Sequence, residues 1–137
     1  MEREDSCLFF EMGRPKDFWQ VYQAFRLVHD QYCRAGLLSP RPNQLRFFLR
    51  DLLSDATAIV ATFDNQVIGT ATGIKLGSSE LPCSKIYRKE ILDLLSRGRI
   101  VGEGTKFACL KCPQTTPRGV GGMSLVSKEI LRWLFGW

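Results

Sequence analysis

Ile100-Val101-Gly102-Glu103-Gly104-Thr105-Lys106-Phe107-Ala108-Cys109-Leu110, followed after a loop by Arg118-Gly119-Val120-Gly121-Gly122-Met123, is the stretch on which the fold turns. The first part mixes β-branched and apolar residues with polar ones and is bounded by Gly98 and Pro113, which predicts a strand carrying one carboxylate, Glu103. The second part puts a basic residue and three glycines directly before an apolar-periodic segment that runs to Trp137. Glycines let the backbone approach a ligand closely, and the free N–H groups of a helix start face an anion. The pair therefore predicts a strand, a loop and a phosphate-binding turn opening a helix.

Working outward, Cys7 to Met12 is a short apolar run closed by Gly13 and Pro15, suited to a first strand. Asp17 caps a helix in which Phe18, Tyr22, Phe25, Val28 or His29, and Tyr32 recur at spacings of three and four, ending near Gly36. After Ser39-Pro40-Arg41-Pro42, Asn43 is placed to cap a second helix with Leu45, Phe48, Leu49, Leu52 and Leu53 on one stripe. Thr57 to Phe63 and Val67 to Leu76 read as antiparallel strands joined by Asp64-Asn65-Gln66. Ser84 starts a third helix with Tyr87, Ile91, Leu94 and Leu95 inward and Gly98 as its stop. The order is an α/β pattern in one domain spanning residues 1–137.

Composition narrows the partners. A net charge of +5 favours anionic partners such as a phosphorylated cofactor or an acidic carrier protein, and no Lys/Arg block singles out nucleic acid. No apolar run approaches the roughly 20 residues of a membrane span. The charged N-terminus lacks a signal-peptide pattern, so a cytoplasmic protein is expected. The five cysteines are scattered and read as reduced thiols. Cys109-Leu110-Lys111-Cys112 is half of a zinc ribbon without a second half, since His29 is the only histidine, and no metal is expected.

Three phosphate-turn patterns compete for residues 118–123. The dinucleotide fingerprint has Gly119 and Gly121 but Ser124 in its third place, and the turn does not follow the strand directly. The P-loop lacks Gly-Lys-Ser/Thr. What remains is Arg/Gln-x-x-Gly-x-Gly/Ala, met by Arg118 and Gly121 but not by Met123; a glycine-rich loop that merely starts a helix stays open beside it. The turn resembles the pyrophosphate-binding turn of the GNAT superfamily of N-acyltransferases, whose element order matches the one above over nearly the whole chain. Within it, Phe25 to Tyr32 followed by Gly36-Leu37 looks like the first helix of the acyl-homoserine-lactone synthases and the related long-chain N-acyl amino acid synthases. Glu103 to Cys109 is similar to their Glu-x-Ser/Gly/Thr-Arg-Phe/Leu-Ala-Val strand, with Lys106 in the arginine position.

The resemblance implies a GNAT-like, mostly antiparallel sheet flanked by helices and an N-acyltransferase. Its donor would be an acyl-CoA or acyl-carrier-protein thioester, its acceptor an amino acid or similar small amine. Glu103 would be the general base, directly or through a water; the alternative is a strand carboxylate paired with Lys106 or another cation. The strand end at Cys109 and Lys111 would bind the pantetheine arm, and Arg118, Gly119, Gly121 and Gly122 the phosphates. Lys85, Arg88, Lys89, Arg97 and Arg99 offer a basic face to an acidic carrier protein, or a solvated helix face. The superfamily fold also implies a last strand and hairpin after the final helix, where this sequence instead ends on Leu134-Phe135-Gly136-Trp137. A truncated domain, or a homo-oligomer covering that helix, is the expectation. Two other readings stand beside the lead one: a small-molecule acetyltransferase using acetyl-CoA, and a non-catalytic remnant that binds an acyl thioester or a partner.

Overall fold

The structure, a computed structural model, describes residues 10–77, 80–110, 129, 130 and 132. Among the described residues four strands form one antiparallel sheet in the order β1 (Glu11–Gly13), β2 (Ala56–Phe63), β3 (Gln66–Lys75) and β4 (Gly102–Cys109). Among the described residues two α-helices of full length accompany them, α1 (Phe18–Arg34) and α2 (Ser84–Ser96). The anticipated phosphate turn, Lys111, Cys112, residues 7–9 and nearly all of the segment expected to form the final helix lie outside the described residues.

Local chemistry sets most boundaries. The Asp17 side chain accepts the Gln20 N–H at 2.8 Å, satisfying one of the free donors at the start of α1. Both helices end in the same way: Gly36 and Gly98 take φ of 72° and 71°, and the residue after each donates back to a carbonyl of the last turn, Leu37 to Tyr32 and Arg99 to Leu94. The β2–β3 hairpin turns through Asp64 and Asn65, with φ of 49° and 59°. Two consecutive left-handed residues make the tight turn whose twist matches the strands, and Asp and Asn tolerate that conformation.

The second expected helix is absent. Residues 43–55 instead form an extended connection with a single 3₁₀ turn at Leu49–Leu52, and Phe48, Leu49, Leu52 and Leu53 are exposed. The stripe fails because tertiary bonds fix the backbone otherwise: Arg46 N–H donates to the Phe25 carbonyl, and Phe47 stacks on Phe25. In α2 only Ile91 of the expected inward set is buried; Tyr87, Leu94 and Leu95 are exposed.

The sheet separates three apolar clusters, two on one face and one on the other. On one face Ala24, Leu27 and Val28 of α1 pack on Val60, Val67 and Ala108, and farther along the same face Ile91 of α2 and Leu81 pack on Ile74. On the other, Ala61, Ala71 and Cys109 meet Ile130. Burying a side chain such as Val28 stabilises by about 1.5–3 kcal/mol, so this two-sided packing fixes the sheet. β4 is not regular: Thr70 and Thr72 of β3 pair with Ala108 and Thr105, so β4 carries one extra residue, and Lys106 adopts φ 52° there.

Candidate active site

Glu103 stands near the start of β4, opposite Ile74. Its Oε2 accepts the Cys83 N–H at 2.9 Å, where the chain enters α2. The carboxylate thus sits at a helix N-terminus, where unpaired N–H groups and the helix dipole favour negative charge. Burial pushes the Cys83 thiol up, and the hydrogen bond to Glu103 and its negative charge push it the same way.

Lys106 does not pair with Glu103. Its bulged, left-handed backbone carries a buried ammonium that meets Asp51 Oδ1 at 2.7 Å, and both side chains are nearly inaccessible. Asp51 Oδ2 accepts the Phe48 N–H at 2.6 Å, so one carboxylate closes the 3₁₀ turn and neutralises the lysine. The Phe48 ring lies 5.0 Å from the Lys106 ammonium and 4.5 Å from the Arg46 guanidinium. β4 is thereby tied to the connection before β2.

Of the expected donor-side residues, only Cys109 is described. It is the last residue of β4, pairs with Gly69 and is half-buried. Its thiol donates to the Leu110 carbonyl at 3.4 Å. Lys111, Arg118, Gly119, Gly121 and Gly122 fall outside the described residues. Cys33 and Cys83 are free thiols. Among the described residues no group of three His, Cys, Asp or Glu is gathered to hold a metal, and no helix is long and apolar enough to cross a membrane.

His29 is committed elsewhere. It is buried on α1, and its Nε2 accepts the Arg41 N–H at 3.0 Å, which leaves the proton on Nδ1, 2.9 Å from Asp30 Oδ1. The ring fastens the segment after α1 to the helix. It is a structural histidine.

A cleft of about 500 Å³ opens on the face of the sheet away from α1. Asp55, Thr57 and Ile59 line it from one side and Lys75, Gly102 and Gly104 from the other; Glu103 of β4 also borders it, but its carboxylate is held by the Cys83 N–H on the α2 side of the sheet. Asp51, Asp55, Lys75 and Cys83 were not singled out by sequence. Asp51 lies 55 positions from Lys106 and Cys83 lies 20 from Glu103, and local periodicity carries no information at such separations.

An antiparallel sheet with an irregular edge strand carrying an acid, flanked by helices, is the GNAT-like fold of N-acyltransferases. The chain belongs to the family described as N-acyl amino acid synthase FeeM, whose profile matches residues 23–122. It is similar in structure to FeeM, an N-acyl amino acid synthase from uncultured soil microbes, with a TM-score of 0.66 at 19% identity. That likeness covers 79% of this chain and 57% of the FeeM chain. No curated protein matches.

Proposed function

We propose that the protein transfers an acyl group from a thioester, carried by an acyl carrier protein or by coenzyme A, to the amine of an amino acid. The observation that carries this reading is the family match, which spans the Glu103 strand and the Arg/Gly turn as far as Gly122. The amine nitrogen attacks the thioester carbonyl carbon, the C–N bond forms, the C–S bond breaks, and the thiolate leaves. The proton lost by the nitrogen passes through the base to the departing sulfur.

Glu103 is the base in this scheme, directly or through a water. Its bond to the Cys83 N–H fixes the carboxylate while leaving acceptor capacity for the amine or a water. The backbone from Cys109 to Lys111 holds the pantetheine arm, and Arg118, Gly119, Gly121 and Gly122 hold the donor phosphates.

The test is to incubate the protein with acyl-carrier or acyl-CoA donors and a pool of amino acids, and to look for amides by mass spectrometry. Glu103→Gln should lower kcat by about 10²–10⁴-fold. Unchanged turnover and pH profile would remove Glu103 from the base role. Thioester binding without any amide product would leave a binding protein instead of an enzyme.

A further inference from the structure

The connection between α1 and β2 holds a cluster of charge that the proposed reaction does not yet use. Arg46 is half-buried, and its guanidinium lies 4.5 Å from the centre of the Phe48 ring. Lys106 approaches the same ring, but Asp51 neutralises it: one carboxylate oxygen takes the ammonium and the other the Phe48 N–H. None of the ion pairs or side-chain hydrogen bonds among the described residues includes the Arg46 guanidinium. Two cations here meet one carboxylate, and the charge left over is that of Arg46. Tyr32, in the last turn of α1, adds a second donor. Burial pushes its phenol up and the Arg46 guanidinium acts against that, while its hydroxyl has no hydrogen-bond partner among the described residues.

These groups stand on the face of the sheet that carries the Glu103 carboxylate. The Arg46 N–H bonds the Phe25 carbonyl and Phe47 stacks on Phe25, which holds the connection against α1. α1 packs on Val60, and Val60 shares its face with Ala56, four residues earlier on β2. Ala56 pairs with Ile74 and Ile74 with Glu103, so Glu103 points to the side that α1 covers, where the Cys83 N–H meets it. Lys106, which shares the Phe48 ring with Arg46, lies three residues beyond Glu103, at most about 10 Å of strand.

We infer that Arg46, with the Tyr32 hydroxyl, binds the α-carboxylate of the acceptor and so keeps its amine on the Glu103 side of the sheet. The inference rests on the amide-forming function proposed above. An amino acid differs from a simple amine by that carboxylate, and a guanidinium braced on an aromatic ring presents its N–H groups as the fork that a carboxylate matches. A water between the amine and Glu103, the route already allowed for the base, covers the remaining distance along the strand. Arg46 is thus a specificity residue; no proton passes through it.

The experiment compares matched acceptors, L-leucine with 3-methylbutylamine and L-phenylalanine with phenethylamine. The wild type should favour the amino acid by about tenfold or more in kcat/KM. Arg46→Gln should lower that ratio by about tenfold or more, through KM of the amino acid. Arg46→Lys, which keeps the charge and loses the fork, should recover part of the ratio, and Tyr32→Phe should lower it by less than Arg46→Gln does. Arg14→Gln, the same loss of charge at an exposed position just past β1, is the control. Four results would overturn the assignment: a wild type without the preference, a ratio that Arg46→Gln leaves unchanged, a fall shared equally by both acceptors, or a rise confined to the donor's KM, which would put a phosphate at Arg46. If no acceptor gives an amide, the proposed function fails first. Calorimetric binding of the amino acid alone then decides the Arg46 site: binding lost in Arg46→Gln supports it, and equal binding in both proteins, or none in either, overturns it.

Discussion

At the scale of single residues the charges near the site are held by partners distant in sequence, and these partnerships set chemical behaviour. Cys83 is the accessible example. Burial raises its thiol pKa, and Glu103 adds a hydrogen bond and a negative charge that act in the same direction. A raised thiol pKa means less thiolate at a given pH, so alkylation of Cys83 by iodoacetamide should be slower near pH 8.5 than that of an unperturbed cysteine. Glu103→Gln removes the negative charge, lowers the thiol pKa and should speed the reaction at the same pH. Peptide-resolved mass spectrometry over a pH series checks this; a Glu103→Gln rate equal to or below wild type would contradict it. Neither the pairing of Glu103 with the α2 entry nor that of Lys106 with Asp51 is legible in the sequence. The contacts that create them arise only when β4 is laid against β3 and the 3₁₀ turn closes over the sheet.

At the scale of elements, the ion pair of Lys106 and Asp51 joins β4 to the connection between α1 and β2. Removing one partner of a buried pair leaves an unpaired buried charge, at a cost of about 3–5 kcal/mol. Lys106→Met should therefore destabilise the fold by that amount in urea unfolding, while the double variant Lys106→Met, Asp51→Leu should recover part of the loss. Full additivity of the two single changes would mean that the pair is not coupled. The elements legible in the sequence are those whose ends are decided locally: α1 by the Asp17 cap and Gly36, the hairpin by Asp64-Asn65, α2 by Gly98. The misread element was residues 43–55, where an apolar stripe of helical spacing is overruled by Arg46, Phe47 and Asp51, each bonded to another part of the chain.

At the scale of the molecule, the sheet has two working sides, with α1 and α2 packed on one and the open cleft on the other. The basic residues Lys85, Arg88 and Lys89 of α2 are exposed and absent from the described ion pairs, whereas Arg97 is held by Asp93 at 3.0 Å. If they receive an acidic carrier protein, reversing Lys85, Arg88 and Lys89 to Glu should lower kcat/KM for a carrier-bound donor at least tenfold. The same change should leave the CoA-bound donor within about twofold, and the effect should shrink as salt rises. Equal losses with both donors would count against carrier docking on this face. The order of elements was legible because it depends on periodicity and turn chemistry, and the family because Phe25 to Tyr32 and Glu103 to Cys109 resemble its motifs. The lining of the cleft depends on which strands become neighbours.

The capture of His29 has a further consequence for reactivity. The chain's one imidazole, the side chain best suited to proton transfer near neutrality, is occupied at both nitrogens in holding down the segment that follows α1. In the proposed reaction, deprotonation is then left to the Glu103 carboxylate, a weak base toward a free ammonium. Such a base acts late, after the C–N bond has begun to form and the nitrogen has become strongly acidic. Turnover should then depend on how much acceptor arrives already neutral, and the alkaline side of the rate profile should follow the basicity of the incoming amine more closely than any group of the protein.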